Sequence, residues 1–137
     1  KNVTIESRFS GKCVIRANPD DIHQVVFNLI ENAIKYNIDG GSVTVLLFKR
    51  DGRVYLIVND TGIGIPREDM PNIFDRFYRV DKARSSDIGG SGLGLAIVKD
   101  MVYKHGGTVT ATARDCGGTS FEVSFPAYEA APGEKVQ

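Results

Sequence analysis

The chain has 137 residues, 42% apolar and 25% charged, which fits one domain able to bury its own core without metal or disulfide staples. Lys plus Arg and Asp plus Glu balance at 17 each, which argues against a general polyanion binder and so against a nucleic-acid partner, while leaving room for a local basic cluster. No apolar run reaches the roughly 18 residues of a membrane span and no charged-then-apolar leader is seen, so this chain by itself is expected to make no membrane contact.

In chain order, Val3, Ile5 and Ser7 alternate with polar residues, and Cys13-Val14-Ile15 follows a turn at Ser10-Gly11; two short strands are predicted. Lys1 to Ile5 already read as structure, as expected of a piece of a larger protein. Asn18-Pro19-Asp20-Asp21 is a strong helix start. Asn18 can cap, Pro19 suits the first helical position, and two acids face the positive end of the dipole. This helix is expected to run to about Tyr36 and stop in Asn37-Ile38-Asp39-Gly40-Gly41. Strands over Val43 to Lys49 and Arg53 to Asn59 are joined by Asp51-Gly52, a two-residue hairpin signal. A short helix is expected near Glu68 to Phe74, opened by Pro66. From Arg79 to Ser91 the chain turns polar and glycine-rich without a period, which predicts a mobile loop. A second long helix is predicted from about Gly92 to His105, ended by Gly106-Gly107. A last hairpin follows, Thr108 to Arg114 and Thr119 to Phe125. Residues 1–126 form the expected domain, and 127–137 the expected disordered tail. Cys13 and Cys116 match no ligand spacing and read as two reduced thiols.

Strands and helices are interspersed and most strand neighbours are hairpin-linked. The expected class is α+β: a two-layer α/β sandwich whose sheet is mixed and mostly antiparallel, with two helices packed on one face.

Two features carry chemistry. On the first helix Ile22, Val26, Leu29 and Ala33 recur at three- and four-residue steps, widened by Val25, Ile30 and Ile34. Gln24, Asn28, Glu31, Asn32 and Lys35 line another side. Asn is a poor helix-interior residue, because its short amide competes for backbone bonds. Amide oxygens suit Mg²⁺ and a nearby lysine can meet phosphate; from the helix alone, a solvated face serves equally well. The second feature is a pair of glycine segments. Asp60 ends an apolar strand and is followed by Gly62 and Gly64, where glycines let backbone approach a flat ligand and the carboxylate can accept from an exocyclic amine. Asp60-Thr61-Gly62 is also the active-site triplet of aspartic proteases. Gly89 to Leu95 leads into the second helix, where exposed N–H groups and the dipole favour an anion. No lysine followed by Ser or Thr makes it a Walker A loop, and Leu95 stands where a dinucleotide fingerprint needs its third glycine.

Four segments in register resemble the catalytic domain of two-component sensor histidine kinases, over about Lys1 to Pro126. Asn28-Leu29-Ile30-Glu31-Asn32-Ala33-Ile34-Lys35-Tyr36 resembles the family's asparagine box. Asp60-Thr61-Gly62-Ile63-Gly64-Ile65-Pro66 resembles its first glycine box, Phe74-Asp75-Arg76-Phe77-Tyr78-Arg79 its phenylalanine box, and Gly90-Ser91-Gly92-Leu93-Gly94-Leu95 its second glycine box. Gly118-Thr119-Ser120-Phe121 resembles the motif of the closing hairpin. The resemblance implies the Bergerat-type ATP-binding fold shared with gyrase, mismatch-repair and heat-shock chaperone ATPases, with ATP and Mg²⁺ as ligands. It implies Asn32 as main Mg²⁺ ligand assisted by Asn28, Lys35 on phosphate, and Tyr36 near the adenine. Asp60 would accept from the adenine amino group, beside Gly62, Gly64 and Ile65, with Thr119 in support. Arg79 and Lys82 would approach the phosphates, and Gly90, Gly92, Leu93 and Gly94 would cradle them. Val80 to Gly90 would be the ATP lid. Phe74 and Phe77 would be lid anchors or a docking surface, with plain core packing open for Phe77.

ATPase relatives carry a glutamate where this chain has Asn28, and an amide cannot activate water as a base. Transfer to an imidazole needs less help, since the acceptor is already nucleophilic. Glu31 lies three residues along the helix, so a supporting role for it stays open. Of the two histidines, His23 reads as a surface residue and His105 as a charge partner of a helix C-terminus. Neither sits in a phosphoacceptor motif, so the implied acceptor is a histidine-bearing dimerisation domain of the same parent protein, with a response regulator downstream and a cytoplasmic location. Two rivals remain: an anti-sigma-type serine kinase of the same fold, and an aspartic protease through Asp60-Thr61-Gly62.

Overall fold

The computed structural model describes residues 2–78 and 94–129. Its elements are β1 (Thr4–Phe9), α1 (Pro19–Lys35), β2 (Ser42–Arg50), β3 (Arg53–Asp60), a short 3-10 turn at Met70–Asn72, α2 (Gly94–Lys104), β4 (Thr108–Ala113) and β5 (Thr119–Pro126). The strands form one sheet in the order β1-β2-β3-β5-β4, with β1 parallel to β2 and every other pair antiparallel.

The period of two decides the sheet's faces. Val43, Val45, Leu56, Val58, Phe121, Val123 and Phe125 point to one side and are buried with Val25, Leu29 and Ala33 of α1 and Val98 and Val102 of α2. Thr44, Tyr55, Ile57 and Glu122 alternate onto the other side, where no described helix lies. α1 covers β2 and β3, and α2 covers β4 and β5. This is the expected two-layer α+β sandwich with a mixed, mostly antiparallel sheet.

Local chemistry sets the element ends. Asn18 Oδ1 accepts from the N–H groups of Asp20 and Asp21 at 2.9 and 3.4 Å, satisfying two donors that α1 cannot pair internally. Asn18→Ala is expected to destabilise the fold by about 1 kcal/mol, seen as a lower urea midpoint at unchanged slope. Asp51 and Gly52 both adopt positive φ, 51° and 76°, the primed turn that matches strand twist in a two-residue hairpin.

Three expectations are corrected. Cys13-Val14-Ile15 is not a strand. No strand of the sheet pairs with it; its backbone instead accepts from Tyr128 N–H, at the Val14 carbonyl, 2.7 Å away. The helix expected over Glu68 to Phe74 is only a 3-10 turn, flanked by i→i+3 bonds such as Asp69 N–H to Pro66 and Asp75 N–H to Asn72. Pro71 supplies no N–H there and disfavours helical backbone at Met70. Residues 127–129, expected to belong to a disordered tail, are tied to the fold. Ala127 N–H bonds the Gly52 carbonyl at 2.9 Å, the Arg16 guanidinium lies 4.8 Å over the Tyr128 ring, and Glu129 pairs with Lys49. The expected loop from Arg79, including the lid, and the rest of the expected tail, from residue 130, lie outside the described residues. So does the start expected for α2 at Gly92.

Candidate functional site

The end of β3 carries the most constrained group. Asp60 is 6% exposed, and its Oδ1 accepts from the N–H of Gly62 at 2.9 Å and of Thr119 at 3.1 Å. Among the described residues both hydrogen bonds to this carboxylate land on Oδ1. A buried carboxylate with one oxygen braced by backbone presents the other as an acceptor of fixed direction. The Asp60 carbonyl is held as well, by Arg114 Nη1 at 2.7 Å.

The segment after Asp60 is folded against two other loops at distances only glycine permits. A Cβ on Gly62 would stand 2.4 Å from the Tyr36 carbonyl oxygen, and one on Gly64, at φ 75°, 2.3 Å from that of Gly117. Ile63 N–H bonds the Tyr36 carbonyl at 3.1 Å, so the end of α1 and the first glycine segment are stitched together. Beneath them Thr61 Oγ1 donates to Asn37 Oδ1 at 3.1 Å and accepts from Ser42 N–H at 2.8 Å, while Asn37 Nδ2 donates to the Ser42 carbonyl at 3.0 Å. Asn37 is buried, so this closed set of bonds anchors the loop rather than offering a ligand contact.

On α1, Asn28 and Asn32 lie one turn apart, both half-buried. Asn28 bridges the two helices: its Nδ2 donates to the Gly94 carbonyl at 3.3 Å and its Oδ1 accepts from Gln24 Nε2 at 3.3 Å. Among the described residues no side chain hydrogen-bonds the Asn32 amide; further along, Lys35 lies 3.8 Å from Glu31 Oε1 and Tyr36 is half-buried. Glu31 thus turns toward Lys35 on the exposed side of the helix. The amide oxygens at 28 and 32 are hard donors on one helix face. They fit Mg²⁺, which takes one or two protein ligands and completes its shell with phosphate and water.

The structure places Asn28, Asn32 and Lys35 on α1 and Tyr36 at its end, Asp60 at the end of β3 with Gly62, Gly64 and Ile65 after it, Gly94 at the start of α2 and Thr119 at the start of β5; it joins Asn28 to Gly94, Tyr36 to Ile63 and Asp60 to Thr119. Arg79, Lys82, Gly90, Gly92 and Leu93 lie outside the described residues.

Residues 17–129 match the family model of histidine kinase-, DNA gyrase B- and HSP90-like ATPases. The chain belongs to this ATPase family. Its likeness within the family runs to the ATP-binding catalytic domains of sensor histidine kinases. The sensor histidine kinase WalK of Bacillus subtilis is 45% identical over 117 residues, 84% of this chain and 19% of that protein. The sensor histidine kinase CusS of Escherichia coli is 42% identical over 124 residues, 90% of this chain and 26% of that protein. The chain thus spans between a fifth and about a quarter of these relatives' length. Among solved structures, a mycobacterial sensor histidine kinase, MprB, superposes with a TM-score of 0.80 at 32% identity, covering 91% of this chain and 82% of that one. Full-length ShkA, solved in complex with AMPPNP, gives 0.78 at 31% identity, covering 94% of this chain and 26% of that one.

The family and fold overturn the aspartic-protease reading of Asp60-Thr61-Gly62. Thr61 is committed to Asn37 and Ser42, and Asp60 is braced within a sheet that α1 covers. Two contacts around Asp60 and its loop escaped the sequence reading: Arg114 on the Asp60 carbonyl and Asn37 as the loop anchor. Gly118, already named in the closing-hairpin motif, packs so closely that an added Cβ would stand 2.0 Å from the Asp60 carbonyl oxygen. His105 follows the end of the second helix, as expected: its Nδ1 lies 2.8 Å from the Met101 carbonyl, while its Nε2 lies 3.2 Å from Asn18 N, which donates to it, and 3.8 Å from Asp21 Oδ2. His23 is exposed on α1, as expected.

Proposed function

We propose that this chain binds Mg²⁺-ATP and transfers the γ-phosphate to a histidine on a separate dimerisation domain of its parent sensor kinase, from which a response regulator takes it. The observation that carries this reading is Asp60: a buried carboxylate at a strand end, braced on Oδ1 alone, is built to accept from the adenine amino group. Gly62, Gly64 and Ile65 let the base lie against backbone, Tyr36 flanks it, and Thr119 fixes the carboxylate. Asn32 is the main Mg²⁺ ligand and Asn28 assists; Lys35 and Arg79 act on the phosphates, with Lys82 beside them. Gly90, Gly92, Leu93 and Gly94 supply N–H groups to the same oxygens, and residues 80–90 form the lid.

Mg²⁺, held by Asn32 and Asn28, would neutralise charge on the phosphates. An imidazole nitrogen of the acceptor attacks the γ-phosphorus, the bond to the bridging oxygen breaks, and ADP departs with that electron pair. The chain's own part is to hold these groups in line. Asn28 supports transfer over hydrolysis, because its amide, already bonded to Gln24 and Gly94, offers no base to a water molecule. The likeness to sensor histidine kinases favours this reading over an anti-sigma-type serine kinase. Residues 1–129 act as the catalytic unit, in the cytoplasm, where ATP is supplied.

Calorimetry with ATP, with and without Mg²⁺, followed by addition of the acceptor domain, tests the proposal. Binding with Mg²⁺ and label on the added domain support it; no binding with Mg²⁺ overturns it. Asn32→Ala is expected to remove the Mg²⁺ dependence, lowering affinity in Mg²⁺ by about tenfold or more to the metal-free value.

A further inference from the structure

The ladder between β3 and β5 runs in register as far as Asn59 and Ser120 and stops there. Thr119, the next residue on β5, gives its N–H to the Asp60 carboxylate instead, at 3.1 Å. The Asp60 carbonyl, which a continued ladder would engage, accepts from Arg114 Nη1 at 2.7 Å. A side chain 54 positions away thus supplies the donor where the backbone ladder runs out.

The peptide joining Asp60 to Thr61 is thereby tied from both sides. Its carbonyl accepts from Arg114 of the last hairpin, and its N–H donates to the Ser42 carbonyl of β2 at 3.1 Å. The peptide unit is planar, so holding its two polar atoms constrains the backbone angles on either side of it. Those angles set where the Asp60 carboxylate leaves the strand and where the Gly62 N–H meets it, at 2.9 Å.

The turn of the last hairpin places Arg114 for this contact. Its N–H donates to the Gly118 carbonyl at 2.9 Å and its own carbonyl accepts from Gly117 N–H at 3.0 Å. A Cβ on Gly118 would stand 2.0 Å from the same Asp60 oxygen, so glycine there leaves that oxygen open to a donor. The Arg114 bond is charge-assisted, and Asp60 is buried. Without the guanidinium, the carbonyl would lose its donor and the peptide would be free to turn.

We infer that Arg114 is a positioning residue for base recognition: by holding the Asp60 carbonyl it fixes the direction of the Asp60 carboxylate, and so the strength of its bond to the exocyclic amino group of adenine. The inference rests on the Asp60 contact proposed above. Arg114 acts through Asp60 and makes no contact with the nucleotide. A hydrogen bond weakens steeply as it is misaligned, so a turned peptide costs the amino contact first. The ligands that feel Arg114 are therefore purine nucleotides carrying that amino group.

The test compares ATP with purine riboside triphosphate, which is ATP without the exocyclic amino group, by calorimetry in Mg²⁺ on the full chain. Arg114→Met is expected to lower ATP affinity about tenfold and to leave affinity for the analogue within about twofold of the unchanged chain. Arg114→Lys can still donate one bond to the carbonyl and is expected to bring ATP affinity back to within about threefold. A purely structural arginine would lower both affinities alike, or lower the thermal midpoint and leave both affinities as they were. Either result overturns the inference. If Arg114→Met does not fold, Arg114→Gln, whose shorter amide falls short of the carbonyl, is read in the same way. An unchanged chain that binds the two nucleotides equally would instead remove the Asp60 contact with the amino group, and with it the reading on which the role of Arg114 rests.

Discussion

Asp60→Asn is expected to lower ATP affinity by about 100-fold, near 3 kcal/mol, while leaving the thermal midpoint within a few degrees of the original. The two effects separate because the two carboxylate oxygens do different work. Oδ1 accepts from Gly62 and Thr119, and an asparagine oxygen can accept the same two bonds. The amide nitrogen then takes the place of Oδ2 and points a donor at the adenine amino group, itself a donor. A charge-assisted bond is lost and a buried mismatch replaces it. Asp60→Ala differs in kind. It leaves two backbone N–H groups without their acceptor, and is expected to destabilise the fold by about 3 kcal/mol. Calorimetry gives the affinity and thermal unfolding the stability. An Asp60→Asn chain that binds ATP normally, or that unfolds, would mean that Asp60 is a structural brace and not the base contact.

Much of this site is readable along the chain because its signals are local. Asn18-Pro19 announces a capped helix start, Asp51-Gly52 a two-residue hairpin, and the alternation of Val54, Leu56 and Val58 a strand with one buried face ending at Asp60. Each rests on neighbouring residues or a short period. The helix expected over Glu68 to Phe74 failed for a local reason, Pro71 within it, but the other failures rest on partners far along the chain. Cys13-Val14-Ile15 reads like a strand, but its backbone meets Tyr128 outside the sheet. Ala127 to Glu129 have a tail-like composition yet meet Gly52, Val14 and Lys49. Arg114 reads as an exposed charge at a hairpin end, and only the fold brings it to Asp60, 54 positions away.

The same distinction separates two kinds of glycine. Gly52 was legible because a positive-φ turn is a local demand, and open space surrounds it. Gly62, Gly64 and Gly118 meet backbone from other segments, so the reason each must lack a side chain exists only in the folded chain. The glycines of the first box let α1, the loop after β3 and the last hairpin close on one another, and in the proposed site they would also leave the backbone bare for a flat ligand. Substituting them tests both at once.

Gly118→Ala is the sharpest such test. The new Cβ would stand 2.0 Å from the Asp60 oxygen, 2.7 Å from its carbonyl carbon and 2.9 Å from the Thr61 Cα. All three are backbone atoms, so no side-chain rotation can relieve the overlap, and β5 must move away from the end of β3. That shift strains the Arg114 bond to the same oxygen and the Thr119 N–H bond to Asp60 Oδ1. Overpacking of this kind is expected to cost about 3 kcal/mol, with ATP affinity falling at least tenfold in whatever fraction stays folded. Gly52→Ala is the control: nothing lies within 4 Å of its Cβ, so only backbone strain at φ 76° remains, about 1 kcal/mol, and ATP affinity is expected to hold. Urea unfolding and calorimetry on the two variants decide the matter. Equal losses of stability with ATP affinity intact in both would mean that the closing hairpin stands apart from the nucleotide site, and that the Thr119 brace on Asp60 has no part in binding.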